Sequence, residues 1–159
     1  MASRLPAGFF STQVEAARYY CAEQARPPLA LEVVCAGWEA CRPDYDLARS
    51  TFPWLAIELV AQGEGWLDID GRRYRLRPGT AFCYGPGTSF RIASDAASPL
   101  QKYFVDFAGR AAERLVSRGP LRQGEVRQAL FPHELAEILD RVIVEGNRKT
   151  ALSARSCGK

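Results

Sequence analysis

Asp70-Gly71 restricts the fold of this chain more than any other pair of residues. A two-residue type I′ turn needs positive φ at both central positions, and Asp-Gly tolerates that conformation. With the turn placed there, the register of the flanking strands follows. Ile69 faces Arg72 and Leu67 faces Tyr74, so Leu67, Ile69, Tyr74 and Leu76 share one side of the hairpin. Trp66 and Asp68 fall opposite Arg75 and Arg73 on the other side. An Asp68–Arg73 ion pair and a Trp66–Arg75 stack there suit an outer surface. Pro78-Gly79 and Gly85-Pro86-Gly87 supply the next two corners.

The same alternation of short apolar runs with Gly, Pro and Asp extends in both directions. Strands are expected over 29–36, 44–50, 55–62, 65–70, 72–77, 80–84, 89–93 and 100–107. Eight short strands with frequent turns point to a mostly β sandwich or small barrel accompanied by helices. Thr12 and Glu15 have capping-box spacing, and Val14, Ala17, Arg18 and Cys21 allow a short helix to about Gln24, stopped by Arg26-Pro27-Pro28. A second helix is expected over 109–118, closed by Gly119-Pro120. Pro132 opens a third, in which Leu135, Ile138, Leu139, Val142 and Ile143 form one apolar face before Gly146-Asn147 ends it.

Composition removes several classes. A chain of 159 residues is one ordinary domain. Its net charge is +3, but Arg148, Lys149, Arg155 and Lys159 lie in the tail, which leaves 17 basic against 18 acidic residues elsewhere. That body lacks the basic surplus of a nucleic-acid-binding face. The most apolar run, 52–61, contains Pro53 and Glu58, so no membrane span is expected. Five cysteines (Cys21, Cys35, Cys41, Cys83, Cys157) form no CxxC pair, and His133, at a helix start, is the one histidine. Neither a disulfide framework nor a zinc site follows from that set. With no secretory pattern near Met1, reduced cysteines and a cytoplasmic protein are expected. A Ser-His-Asp set or a Cys-His nucleophile is likewise not expected from His133 alone, and Asp44-Tyr45-Asp46 reads as an exposed edge rather than a metal motif.

The run "GEGWLDIDGRRYRLRPGTAFCYGPGTSFRI" from Gly63 to Ile92 resembles the sensor domain of AraC-type transcriptional regulators, as do "ARSTFPWLAIELV" and "PLQKYFVDFAG" on either side. The resemblance implies a double-stranded β-helix (cupin-like jelly roll) followed by helices that dimerise. It divides the chain into an arm and short helix (1–28), a sensor barrel (29–108), a helical dimerisation segment (109–146) and the start of a linker (147–159). The linker would lead to a DNA-binding domain with two helix-turn-helix units, and DNA is expected to be contacted through that domain only. The implied partner is a small polar, sugar-like effector, with a second copy of the chain as the other. The family often has histidine where this chain has Phe90, and no histidine lies between Gly65 and Gly109. Catalytic cupins hold a metal there with two histidines and a glutamate. No catalytic residue, metal or cofactor is therefore expected. A small cupin enzyme such as a sugar isomerase or epimerase is the alternative reading, and a bare interaction module a third.

Strand alternation sorts Ala56, Glu58, Val60 and Gln62 from Leu55, Ile57, Leu59 and Ala61, and Leu100, Lys102, Phe104 and Asp106 from Gln101, Tyr103, Val105 and Phe107. The mixed set on each strand reads either as a solvent face or as the wall of a ligand cavity. In sugar-binding relatives the positions matching Gln62, Ile92, Lys102 and Phe104 point into the barrel. The candidate ligand residues are thus Glu58, Gln62, Phe90, Ile92, Lys102 and Phe104. Lys102 and Glu58 offer charge-assisted hydrogen bonds or else form a structural pair, and Phe104 offers a stacking face. Ile92 replaces an aromatic position, so the effector need not be arabinose. The candidate dimer face is Leu135, Ile138, Leu139, Val142 and Ile143.

Overall fold

The hairpin adopts the register its turn demands. Asp70 and Gly71 have φ of 46° and 76°, and Ile69 pairs with Arg72, Leu67 with Tyr74 and Gly65 with Leu76. Arg73 donates to both Asp68 carboxylate oxygens at 2.7 and 3.0 Å, and the Arg75 guanidinium lies 4.8 Å from the Trp66 ring. The computed structural model describes residues 5–23 and 29–156, with side chains to Arg148. Its strands are β1 (Val14–Cys21), β2 (Glu32–Cys41), β3 (Asp46–Arg49), β4 (Leu55–Gln62), β5 (Gly65–Ile69), β6 (Arg72–Leu76), β7 (Thr80–Tyr84), β8 (Phe90–Ser94), β9 (Gln101–Ala108) and β10 (Val126–Gln128). The helices are α1 (Arg110–Arg118) and α2 (Pro132–Ser156).

These strands make two antiparallel sheets, ordered β1-β2-β9-β4-β7-β10 and β3-β8-β5-β6. They pack face to face as a double-stranded β-helix, the cupin-like jelly roll. The apolar side of the hairpin (Leu67, Ile69, Leu76) meets Cys35, Ala56, Val60 and Phe82 of the larger sheet, and the side chains at their meeting are almost fully excluded from water. Each such Leu or Ile contributes roughly 1.5–3 kcal/mol relative to exposure. The outer face of the larger sheet is covered too. Leu55, Cys83 and Phe107 meet Ala112 and Val116 of α1, while Leu59 and Ala81 meet Leu139 of α2.

Three expectations need correction. The segment expected as a helix over 12–24 is β1, an edge strand paired with β2 from Val14↔Cys41 to Cys21↔Cys35. The capping box does not form: the Gln13 amide bonds the Ser11 hydroxyl (3.0 Å), and its side chain bridges to the Asp44 carbonyl and Asp46 amide. The long β2 leaves an unpaired row of backbone groups, and satisfying it outweighs a weak local helix preference. A strand over 126–128, unanticipated, completes the far edge beside β7. Finally, α2 runs through Gly146-Asn147 to Ser156 instead of ending there. Gly146 is a packing residue, since a Cβ on it would stand 2.5 Å from the Tyr20 ring. The Arg26-Pro27-Pro28 stop and Cys157 lie outside the described residues.

The apolar stripe of α2 is divided between two uses. Leu139 and Ile143 are buried against the sheet, Leu135 and Val142 are half-buried, and Ile138 is 59% exposed. Arg18 of β1 pairs with Asp140 at 2.7 Å, and the Asn147 amide donates to the Tyr19 carbonyl. Leu139 and Ile143 therefore serve the intramolecular core, because the helix uses that side to cover the sheet. Among the described residues no helix is long and apolar enough to cross a membrane.

Candidate functional site

β9 lies between β2 and β4, so each inward residue of β9 heads a row across three strands. Lys102 sits between Glu39 and Val60, Phe104 between Gly37 and Glu58, and Asp106 between Cys35 and Ala56. Gly37 is required by crowding: a Cβ there would lie 2.5 Å from the Phe104 ring and 2.6 Å from that of Tyr19.

These rows bring ionisable groups together inside the jelly roll. Lys102 Nζ stands 2.9 Å from Glu39 Oε2 and 2.9 Å from Glu58 Oε2, with all three side chains at most 5% exposed. The Tyr19 hydroxyl donates to Glu39 Oε1 (2.8 Å) and the Tyr84 hydroxyl to Glu58 Oε1 (2.7 Å). Lys102 Nζ also lies 5.5 Å from the ring centres of Tyr45 and Phe104. Burial disfavours the ammonium, but the attraction of Glu39 and then Glu58 outweighs it and holds Lys102 well above the usual lysine range. Asp106 has the opposite fate. Burial, then repulsion from Glu58, drives its carboxyl well above the usual carboxylate range despite Lys102. Among the described residues neither Asp106 oxygen nor the Tyr45 hydroxyl has a hydrogen-bond partner. The site therefore gathers three carboxyl groups around one buried ammonium, with Arg49 also on the cavity wall, and leaves two polar side chains, Asp106 and Tyr45, unmet.

A cavity of about 30 Å³ opens between these groups, room for one or two waters. Glu39, Glu58, Lys102, Phe104 and Asp106 line it together with Tyr45, Tyr84 and Arg49. Phe9, Phe10 and Ser11, from the segment preceding β1, complete the lining. The Phe10 ring stacks on Tyr19 at 4.0 Å, Phe9 meets Trp54 edge-on at 5.9 Å, and Arg49 donates to the Phe9 carbonyl.

Of the residues expected at the site, Glu58, Lys102 and Phe104 converge on the cavity. Phe90 stands one layer behind, its ring 4.0 Å from that of Tyr84. Ile92 is in the core between Leu47 and Leu67. Gln62 does not reach the cavity: the register shifts between Val60 and Gln62, and the residue emerges exposed at the end of β4. His133 is exposed. Glu39, Tyr19, Tyr45 and Tyr84 were not expected there. Asp106 was legible, because alternation puts it on the face of Lys102 and Phe104. Among the described residues no group of three or more His, Cys, Asp or Glu is arranged to hold a metal ion.

A model of the AraC-like ligand binding domain matches residues 32–155. No curated protein matches the chain. Among solved structures, the plu4264 protein from Photorhabdus luminescens is 10% identical over 68% of this chain and 86% of its own, with a TM-score of 0.50. A predicted oxalate decarboxylase from Thermotoga maritima is 16% identical over 46% of this chain and 65% of its own, at 0.43. Salicylate 1,2-dioxygenase from Pseudoaminobacter salicylatoxidans is 13% identical at 0.42, over 48% of this chain and 20% of its own. At such identities the first likeness bears on the fold alone.

Proposed function

Because this chain belongs to the AraC-like ligand-binding domain family, we propose that it is the effector-sensing and dimerisation unit of a transcription regulator, with the effector held among Glu39, Glu58, Lys102, Phe104 and Asp106. The observation that carries this reading is the pair of buried polar groups left unmet. Among the described residues the Asp106 carboxyl and Tyr45 hydroxyl lack hydrogen-bond partners, and leaving such groups unmet costs roughly 1–3 kcal/mol each. An occupant rich in hydroxyl groups, such as a monosaccharide, both gives and accepts hydrogen bonds and would meet them while Phe104 stacks on its apolar face. The cavity is far smaller than the roughly 300 Å³ of the smallest ordinary ligand site, so entry requires Phe9–Ser11 to move outward. Nothing in this scheme calls for turnover.

A thermal-shift screen of sugars, sugar acids and polyols on the wild type and Asp106→Asn tests it. At a hundredfold excess over Kd a native-state ligand adds about 2.7 kcal/mol, which is roughly 5–11 °C for a domain of this size. A hit whose shift is lost in Asp106→Asn supports the assignment. A hit that binds both proteins equally removes Asp106 from the site, and substrate consumption would favour the enzyme reading.

Dimerisation is proposed for the exposed side of α2, where Ile138 joins the exposed Leu130 and Phe131 around an apolar groove. Ile138→Glu should give a folded monomer by light scattering, whereas a persisting dimer places the interface elsewhere. Sequence-selective DNA binding is not assigned to residues 1–159. Glu134, Glu137 and Glu145 on the exposed side of α2 repel phosphate.

A further inference from the structure

The edge of the larger sheet carries an arrangement that the cavity does not use. Cys21 ends β1, and its cross-strand partner on β2 is Cys35. At the next position the Ala22 amide donates to the Val34 carbonyl at 3.0 Å. Ala22–Val34 is therefore a hydrogen-bonded pair, and Cys21–Cys35 the adjoining non-hydrogen-bonded one. In such pairs the Cα atoms approach to about 4.5 Å with side chains closely facing, within the Cα spacing of about 4.4–6.8 Å that a disulfide spans. The two Sγ atoms stand 3.5 Å apart.

Their surroundings differ in the way a two-step thiol reaction requires. Cys21 is exposed, while Cys35 is fully buried. The hydrogen bond from Cys35 holds the Cys21 thiol below its usual range. The same contact, then burial, pushes the Cys35 thiol up. By contrast burial pushes both Cys41 and Cys83 up to about 12, and neither is accessible.

We propose that Cys21 and Cys35 form a thiol–disulfide exchange site that takes small-molecule disulfides and closes to a cross-strand disulfide between β1 and β2. The Cys21 thiolate attacks one sulfur of the small disulfide. That S–S bond breaks, a Cys21 mixed disulfide forms, and one thiolate leaves and takes up a proton. The Cys35 sulfur then attacks Cys21 Sγ, its proton passing to the second departing thiolate. Two protein thiols are oxidised and one small disulfide is reduced to two thiols, a balanced two-electron exchange. Geometry favours the second step, because the resolving sulfur is already in contact with the first. The bond would tie the strand that supplies Tyr19 to the strand that supplies Glu39, the cavity carboxylate to which Tyr19 donates. The proposal does not depend on what the cavity binds.

The full chain, reduced and then equilibrated in glutathione buffers of graded oxidised-to-reduced ratio, is quenched in acid. It is then digested without reductant and mapped by mass spectrometry. The expected result is a Cys21–Cys35 linked peptide that rises along a single two-electron curve. Cys35→Ser should stop at a glutathione adduct on Cys21, and Cys21→Ser should carry no adduct at Cys35. The proposal is overturned if wild type accumulates the Cys21 adduct without closing. It is equally overturned if Cys21 pairs chiefly with another cysteine, or if both thiols stay free in fully oxidised buffer. The wild-type map decides the matter even if a serine variant fails to fold.

Discussion

Replacing Lys102 by methionine isolates the energetics of the cavity. The ammonium makes two contacts of 2.9 Å with carboxylates, all three groups nearly dry. At an effective dielectric of about 20, each contact is worth roughly 6 kcal/mol. Desolvating three ions costs several kcal/mol apiece. The intact cluster thus contributes little net stability, but methionine keeps the stem volume and leaves Glu39 and Glu58 facing each other unneutralised. Loss of one partner from a buried pair typically costs about 3–5 kcal/mol, which is roughly 6–20 °C in Tm for a chain of this length. Urea unfolding of wild type and Lys102→Met at pH 7 measures this, with Glu39→Gln/Glu58→Gln/Lys102→Met as the neutral control. A deficit below about 1 kcal/mol, the size of an exposed ion pair, would refute the claim that these charges are desolvated. The neutral triple variant should recover most of the loss.

Asp106→Asn should be more stable than wild type at pH 7. The folded-state pKa is raised, so ionisation carries no penalty below the unfolded value of about 3.9. Above that value stability falls by about 1.4 kcal/mol per pH unit, until the folded pKa is passed. Parallel unfolding profiles for the two proteins across pH 4–8 would contradict this. Gly146→Ala should lower Tm although alanine is the better helix former by about 1 kcal/mol, because the methyl would overlap the Tyr20 ring at a cost of about 1–3 kcal/mol. A melting curve that moves upward would show the ring giving way freely.

The hairpin could be read residue by residue because its turn chemistry is local, and β4 to β9 followed from the same punctuation. β1 could not, because Val14, Ala17, Arg18 and Cys21 satisfy helical spacing. Only the open edge of β2, distant in sequence, decides for a strand. The same distance hid Glu39. The expected strand ended at Ala36, before Gly37, although Gly37 is a strand residue that makes room for Phe104 and Tyr19. On β9 alternation sufficed for Lys102, Phe104 and Asp106. On β4 it carried Glu58 correctly and failed at Gln62, since a bulge leaves no mark in residue type. Tyr45 had a signal in its two charged neighbours. It is buried between an Asp44–Arg42 pair and an Asp46–Arg91 pair, both at the surface.

β9 faces the cavity with Lys102, Phe104 and Asp106 and the helical layer with Tyr103, Val105 and Phe107. Lys102 and Tyr103 are consecutive and point to opposite faces, so a single layer of sheet separates a prospective occupant from the seat of α2. The 25 residues of α2 form a rod of roughly 37 Å. A tilt of about 5° where Leu139 rests on Leu59 would sweep its far end at Ser156, about 25 Å away, through about 2 Å, by the same helical rise. The rod's length thus magnifies a small rotation at the barrel into a larger displacement at the helix end.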